Sequence, residues 1–298
     1  MLTFDFAAGL MRRLALNEDA IAFFTQMADD VLSRFGAETE AICDLLSEKP
    51  FEYAAISELC DQLAQKSGYH EYAVTVFVFL AASERLHESY QKRGINDEIF
   101  YNTVDDVRCK LNECMAVYGM HGCFVREWLL SFYKMQRFGL GRLCFELGVW
   151  QDEPILFGGH MLWPGDRYIC VHIPANGRPF DAPARQAAYE LAAAFFRHDF
   201  STPYVPIIST SWLLDPTHRL CLPESSNIRR FADDFDVLIG RRLEKFTNGW
   251  RIFASRAEGP AAELPEDSTL QRVYKKRLMD NDDFYNGCGI LWMKAADV

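Results

Sequence analysis

Arg142-Leu143-Cys144-Phe145-Glu146-Leu147-Gly148-Val149 is the stretch on which the reading of the fold turns. Leu143, Phe145, Leu147 and Val149 alternate with Arg142, Cys144, Glu146 and Gly148. A period of two puts one set on each face of a strand. Upstream of it the apolar residues recur at helical spacing instead, so the change of period divides the chain.

The upstream part is predicted as a helical bundle. Asn17 is an N-cap with Glu18 and Asp19 in the first turn, where the helix dipole favours acids. Ile21, Phe24, Ala28, Val31 and Phe35 follow at helical spacing, and Gly36 is expected to stop that helix. A second helix runs from Pro50 to Gly68, and one long helix from Tyr69 to Arg93. Asn96 caps the next, and a further helix after Arg126 is expected to lead to Phe138. The expected domain division is residues 1–125, all helical, and 126–298.

Downstream, Pro154–Phe157, Arg167–Ile173, Val205–Leu214, Trp250–Phe253 and Ile290–Met293 read as strands. Helices are expected at Pro183–Arg197, with Asp181 as cap, at Pro223–Phe235, and at Ser268–Met279. Asn227 is read as a capping residue. The fold class is α+β, a helical bundle followed by a mixed sheet with helices.

The composition fits this reading. Of 298 residues, 49% are hydrophobic, enough for two ordinary cores. Nine scattered cysteines without a C-x-x-C pair point to reduced thiols, and the N-terminus has no signal-like apolar run, so a cytoplasmic protein is expected. No apolar run approaches the roughly 20 residues of a membrane span, so no membrane partner is expected. Residues 1–125 hold 10 Lys+Arg against 20 Asp+Glu, nearly all of the chain's net −11. That surface repels nucleic acid, and a cationic acceptor suits it better.

Several strings are absent: the G-x-S-x-G elbow, H-E-x-x-H, the P-loop and a dinucleotide fingerprint. His121-Gly122-Cys123 alone does not make a metal site, and no metal is expected.

Four groups of segments together resemble a known family. They are Gly141–Glu146; Val171-His172-Ile173-Pro174; Ser211-Trp212-Leu213-Leu214 with Leu222–Ile228; and Leu264-Pro265 with Thr269-Leu270-Gln271-Arg272. The chain resembles bacterial acyltransferase-domain proteins with a helical N-acyltransferase N-terminal domain and a GNAT-like C-terminal domain. The resemblance covers nearly the whole chain and is strongest from about Phe138 to Gly289.

It implies direct transfer of an acyl group from acetyl-CoA or another acyl-CoA to an amine acceptor. The cofactor would enter where two parallel strands part, its pyrophosphate on amides before the next helix. Gln136-Arg137-Phe138-Gly139-Leu140-Gly141 matches the usual phosphate string, but it lies between a helix and a strand, where its glycines end one and begin the other. The right context is the strand ending at His172, the loop Pro174–Phe180 and the helix after it. Cofactor contacts are therefore expected from His172, Ile173, Gly177, Arg178 and Ser209. Asp181 at the cap would repel a pyrophosphate. Either Arg178 and loop amides hold the cofactor, or the fold has lost it.

Amine attack on a thioester needs a base, a donor to the carbonyl and an acid for the thiolate. Glu146 and His172 are the candidate bases. Ser211 is a candidate donor and Tyr274 a candidate acid. Against each stands a structural reading: Glu146 paired with Arg142 or another cation, His172 and the serines as ordinary sheet residues. The alternative to an enzyme is a non-catalytic GNAT-fold module that binds a ligand or a protein.

Overall fold

The computed structural model describes residues 2–254 and 259–295. The chain divides into two compact units, Met1–Phe138 and Gly139–Val298.

The first unit is helical: α1 (Asp5–Arg13), α2 (Glu18–Ser47), α3 (Tyr53–Ser67), α4 (Glu71–Ala81), α5 (Ser83–Lys92), α6 (Asp97–Val104), α7 (Asp106–Tyr118) and α8 (Arg126–Leu130). Asn17 and Asn96 are caps as expected, accepting the amides of Asp19 and Ile99 at 2.9 Å. Gly36 does not stop its helix. Phe35 leaves helical geometry (φ −136°, ψ 30°), and α2 kinks there and continues to Ser47. The helix expected over Tyr69–Arg93 is two, meeting at Ala82. α4 is buried on every side from Ala73 to Ala81, which is why its β-branched run carries no amphipathic period. After α8 comes a 3₁₀ turn at Ser131–Lys134 and then a strand, so no helix reaches Phe138.

The second unit is built on β1 (Arg137–Leu140), β2 (Leu143–Val149), β3 (Ile155–Phe157), β4 (His160–Leu162), β5 (Arg167–His172), α9 (Ala182–Phe195), β6 (Tyr204–Ser211), α10 (His218–Cys221), α11 (Asn227–Ala232), β7 (Asp236–Arg242), α12 (Gly249–Phe253), α13 (Thr269–Met279) and β8 (Tyr285–Lys294). The sheet order is β1-β2-β5-β6-β8-β7, with β3 and β4 as a separate hairpin. β2 with β5, β6 with β8, and β8 with β7 are antiparallel; β5 and β6, joined through α9, are parallel. This is the mixed sheet the sequence implies.

Four details differ from the sequence reading. Trp250–Phe253 is helical, not a strand. Ser211 ends β6 by accepting the amide of Leu213, so the strand stops short of Leu214. The helix after Pro223 is only Asn227–Ala232, and its cap is Ser226, not Asn227. β1, β4 and β7 are additional strands.

β5 and β6 share a ladder only at Ile169↔Ile207 and Cys170↔Ile208. β5 continues to His172 and β6 to Ser211 outside that ladder. Each keeps its outer neighbour: His172 pairs with Cys144, and Ser209 to Ser211 pair with Gly289 to Gly287. The sheet therefore parts between its two parallel strands, at their C-terminal ends. Gly287 is required here, because a Cβ would lie 2.0 Å from the Leu214 carbonyl oxygen.

Candidate active site

The pleat assigns each side chain near this opening to a face. Phe145 meets Tyr189 of α9 edge to face, with ring centroids 6.4 Å apart. Phe145 pairs with Val171, so Ile169, Val171, Ile207 and Ser209 share the α9 face. The opposite face carries Glu146, Tyr168, Cys170, His172, Ile208, Thr210 and Cys288. There Ile208 and Ile290 pack with Trp150 and Leu162, under the β3–β4 hairpin.

On that second face His172 and Glu146 meet, Nε2 to Oε1 at 2.8 Å, with side chains 24% and 26% exposed. A carboxylate only accepts, so Nε2 carries the hydrogen and the neutral imidazole has its basic lone pair on Nδ1. The partner found for Glu146 is the His172 ring. Arg142 is engaged elsewhere: it donates to Arg178 O at 3.2 Å and to Pro174 O at 2.9 Å. Cys170 joins the pair, the donor atoms of Glu146, Cys170 and His172 lying within 4.8 Å of one another. Tyr168 lies across Gly148, where a Cβ would come 2.4 Å from its ring. Burial pushes the Tyr168 phenol up, and Cys170, Cys288 and Glu146 add to it.

The loop after β5 is braced from two sides. Arg142 holds the carbonyls of Pro174 and Arg178 and lies over the Phe180 ring at 5.1 Å. Arg185, 1% exposed, donates to Phe180 O and Arg230 O and pairs with Asp234. Gly177 turns with φ 71°, and the Arg178 amide donates to Asn176 Oδ1. Asp181 caps α9, its carboxylate accepting from the Ala184 amide at 3.0 Å. The anion-attracting end of that helix thus already holds a carboxylate.

Ser209 is 1% exposed and its Oγ has no partner among the described residues. It borders the opening from the α9 face, whereas Glu146 and His172 border it from the other. Ile173, next in the chain after His172, is half-buried. Ser211 shares the Ser209 face, its oxygen accepting from Leu213 N.

Tyr274 stands apart from these residues. It is buried in a cluster with Ile252, Phe253, Leu264 and Phe284, and its hydroxyl meets His218 Nε2 at 2.7 Å. Arg277 and Asp215 extend this buried network. Burial pushes the Tyr274 phenol up and holds the His218 imidazole below its ordinary range. Trp212, next after Ser211, packs its ring on Tyr274.

Sequence reasoning missed Cys170, Arg142 as a loop brace, and the Asp215–His218 turn. Only the last left a local signal: Asp215-Pro216-Thr217 is an Asx turn, Asp215 Oδ1 accepting from Thr217 N and Oγ1.

Among curated proteins none matches the sequence. Solved structures do, and each is a likeness of fold. A crystal structure of an acyltransferase in complex with decanoyl-CoA and teicoplanin is 22% identical with a TM-score of 0.71, covering 96% of this chain and 87% of that one. A mutant acyltransferase in complex with octanoyl-CoA gives 22%, 0.73, 96% and 87%. An acyltransferase in complex with decanoyl-CoA gives 20%, 0.64, 97% and 99%. No helix among the described residues is long and apolar enough to cross a membrane. The model of the N-acyltransferase N-terminal domain matches residues 5–135, and that of the GNAT-like C-terminal domain matches residues 138–291. The second match takes in more than half of the chain and all strands but the first residue of β1 and the end of β8, so the chain belongs to the family defined by that GNAT-like C-terminal domain.

Proposed function

We propose that this protein is an acyl-CoA-dependent N-acyltransferase that moves an acyl group directly to an amine. The observation that carries this reading is the opening between β5 and β6 with the Glu146–His172 pair on its rim. The pantetheine arm would lie along the parted strand edges, as an added strand does. The amine attacks the thioester carbonyl carbon, the C–S bond breaks, and CoA leaves as the thiol. His172 Nδ1 takes the proton of the attacking amine, while the Glu146 carboxylate orients the ring and stabilises the imidazolium.

Ser209, with its buried and unpartnered hydroxyl, is the side chain best suited to meet a polar group of the pantetheine arm. Ile173 would line the same entry. With Asp181 on the α9 cap, the diphosphate is assigned to Gly177, Arg178 and the braced loop rather than to the helix end. Ser211 is kept as a donor to the thioester oxygen. Tyr274 is kept as the candidate acid for the thiolate; its hydroxyl is bonded to His218 Nε2, and that role requires it to leave this partner. Structures alike in fold hold octanoyl-CoA or decanoyl-CoA, and a medium-length acyl chain is the donor proposed here too.

The occupied α9 cap favours one other reading, a GNAT-fold module that binds a ligand without catalysis. Calorimetric titration with a panel from acetyl-CoA to decanoyl-CoA tests both. Micromolar binding that weakens in Arg178→Ala supports the transferase; no binding across the panel rejects it in favour of the module.

A further inference from the structure

We propose that Glu146, Cys170 and His172 form a binding site for a soft divalent cation of the zinc class, on the sheet face opposite α9. The three side chains offer a carboxylate oxygen, a thiol sulfur and an imidazole nitrogen, all within 4.8 Å of one another. A tetrahedral zinc site with bonds of about 2.0–2.3 Å needs its ligand atoms about 3.3–3.8 Å apart. The sulfur must therefore come inward by up to about an ångström, a χ1 rotation of roughly 30°. The Nε2 to Oε1 separation of 2.8 Å must widen as the hydrogen bond gives way to two metal bonds.

The backbones need not move. Glu146 is directly opposite Cys170 in the β2–β5 ladder, and His172 is two residues further on the same face. Two hydrogen-bonded strands thus hold all three Cα atoms in place, the rigid mounting a metal site requires. Glu146 and His172 remain about a quarter exposed, which leaves a fourth position open to water. Thiol and imidazole together select zinc-like ions over magnesium or calcium.

No other cluster of three such groups occurs among the described residues. The thiols of Cys43, Cys60, Cys109 and Cys123 are buried in the helical unit and pushed up to about 12, so they do not compete. Cys288 shares the face of Cys170, but it lies beside Thr210 and outside the triad.

Binding replaces the Cys170 S–H proton, which passes to solvent, shifts the imidazole hydrogen from Nε2 to Nδ1, and occupies Nε2 and the carboxylate. The regulatory consequence rests on the proposed transferase reading: an ion held here takes the groups assigned to the amine proton, so zinc would inhibit transfer and a chelator would restore it. The site itself does not depend on that reading.

The test is a titration of the reduced full-length protein with Co²⁺ as the spectroscopic probe. One equivalent is expected to give a thiolate-to-metal absorption in the near ultraviolet and the visible bands of a four-coordinate ion. Cys170→Ser is expected to abolish the near-ultraviolet band and Cys288→Ser to leave it. No band, or a band that survives Cys170→Ser, overturns the site. If Cys170→Ser fails to fold, the wild-type protein decides: Zn²⁺ is expected to protect Cys170 from iodoacetamide in peptide mass spectra, and unprotected labelling overturns the site. In a transfer assay, Zn²⁺ should inhibit wild type and spare Cys170→Ser. Inhibition that persists in Cys170→Ser overturns the regulatory role. A cobalt spectrum without any transfer activity sinks the transferase reading and leaves the site standing.

Discussion

Glu146 and His172 meet as a diagonal pair across two antiparallel strands: Glu146 is opposite Cys170, His172 is opposite Cys144, and the two side chains close the gap at 2.8 Å. Diagonal neighbours in a sheet are within reach only of long side chains. Glu146→Gln keeps the shape and removes the charge that stabilises an imidazolium. It is expected to lower turnover by about 10²-fold or more. Acyl-CoA affinity and melting temperature should stay unchanged, since the pair is partly exposed and adds little stability. Steady-state kinetics beside calorimetry check this, and unaltered turnover removes Glu146 from the mechanism.

Ser209 gives two effects of opposite sign. Its buried hydroxyl lacks a partner in the free protein, so Ser209→Ala should leave stability equal or raise it by up to about 1 kcal/mol. If that hydroxyl meets the cofactor, the same change weakens acyl-CoA binding by about five- to tenfold, the worth of one hydrogen bond. A thermal melt and a titration on one variant read both, and unaltered affinity takes the hydroxyl out of the cofactor site.

Arg142 holds the Pro174 and Arg178 carbonyls from one strand away. Arg142→Ala should loosen the loop and raise KM for acyl-CoA several-fold while kcat changes little. Arg142→Lys restores one donor but not the planar fork, and should recover part of the loss. An equal fall in kcat would mean that Arg142 acts on the chemistry instead.

The Tyr274–His218 pair predicts a pH dependence. Burial lowers the His218 pKa, so the folded chain binds that proton more weakly than the unfolded chain does. Its contribution to stability is therefore whole above the unfolded value of about 6.5 and is lost as pH falls below it. Melting temperatures should drop between pH 7 and pH 5.5, and His218→Gln should flatten that slope. Tyr274→Phe leaves the buried imidazole acceptor unmet and should cost about 1–3 kcal/mol. Turnover that falls beyond what unfolding explains would support the acid role of Tyr274.

The legible parts of the chain were those with a period or a cap in the letters themselves. β2 announces itself by alternation, and α9 by its Asp181 cap. The failures have physical causes. Trp250-Arg251-Ile252-Phe253 buries Ile252 and Phe253 in one short turn, and four residues cannot distinguish a period of 2 from 3.6. β7 carries a register shift between Val237 and Ile239, which breaks alternation where it would be read. At the site, the sequence singled out Glu146 and His172 separately, because no local pattern reveals which residues two strands bring face to face. Cys170 looked like any strand cysteine until register set it opposite Glu146. The glycine string at Gln136–Gly141 fitted a phosphate loop in letters only; it is the edge of a hairpin, with Ala188 close to Gly141.

The short β5–β6 ladder divides the sheet into two three-stranded leaves, β1-β2-β5 and β6-β8-β7, stitched at two residue pairs and strapped by α9. Such a seam behaves as a book spine. The angle between the leaves can adapt to the thickness of what lies between them while each leaf keeps its own ladder intact. A guest in the gap restores the missing rungs and turns two leaves into one continuous sheet, so binding should slow amide hydrogen exchange at Val171–Ile173 and Ser209–Ser211 while leaving β7 and β8 unaffected.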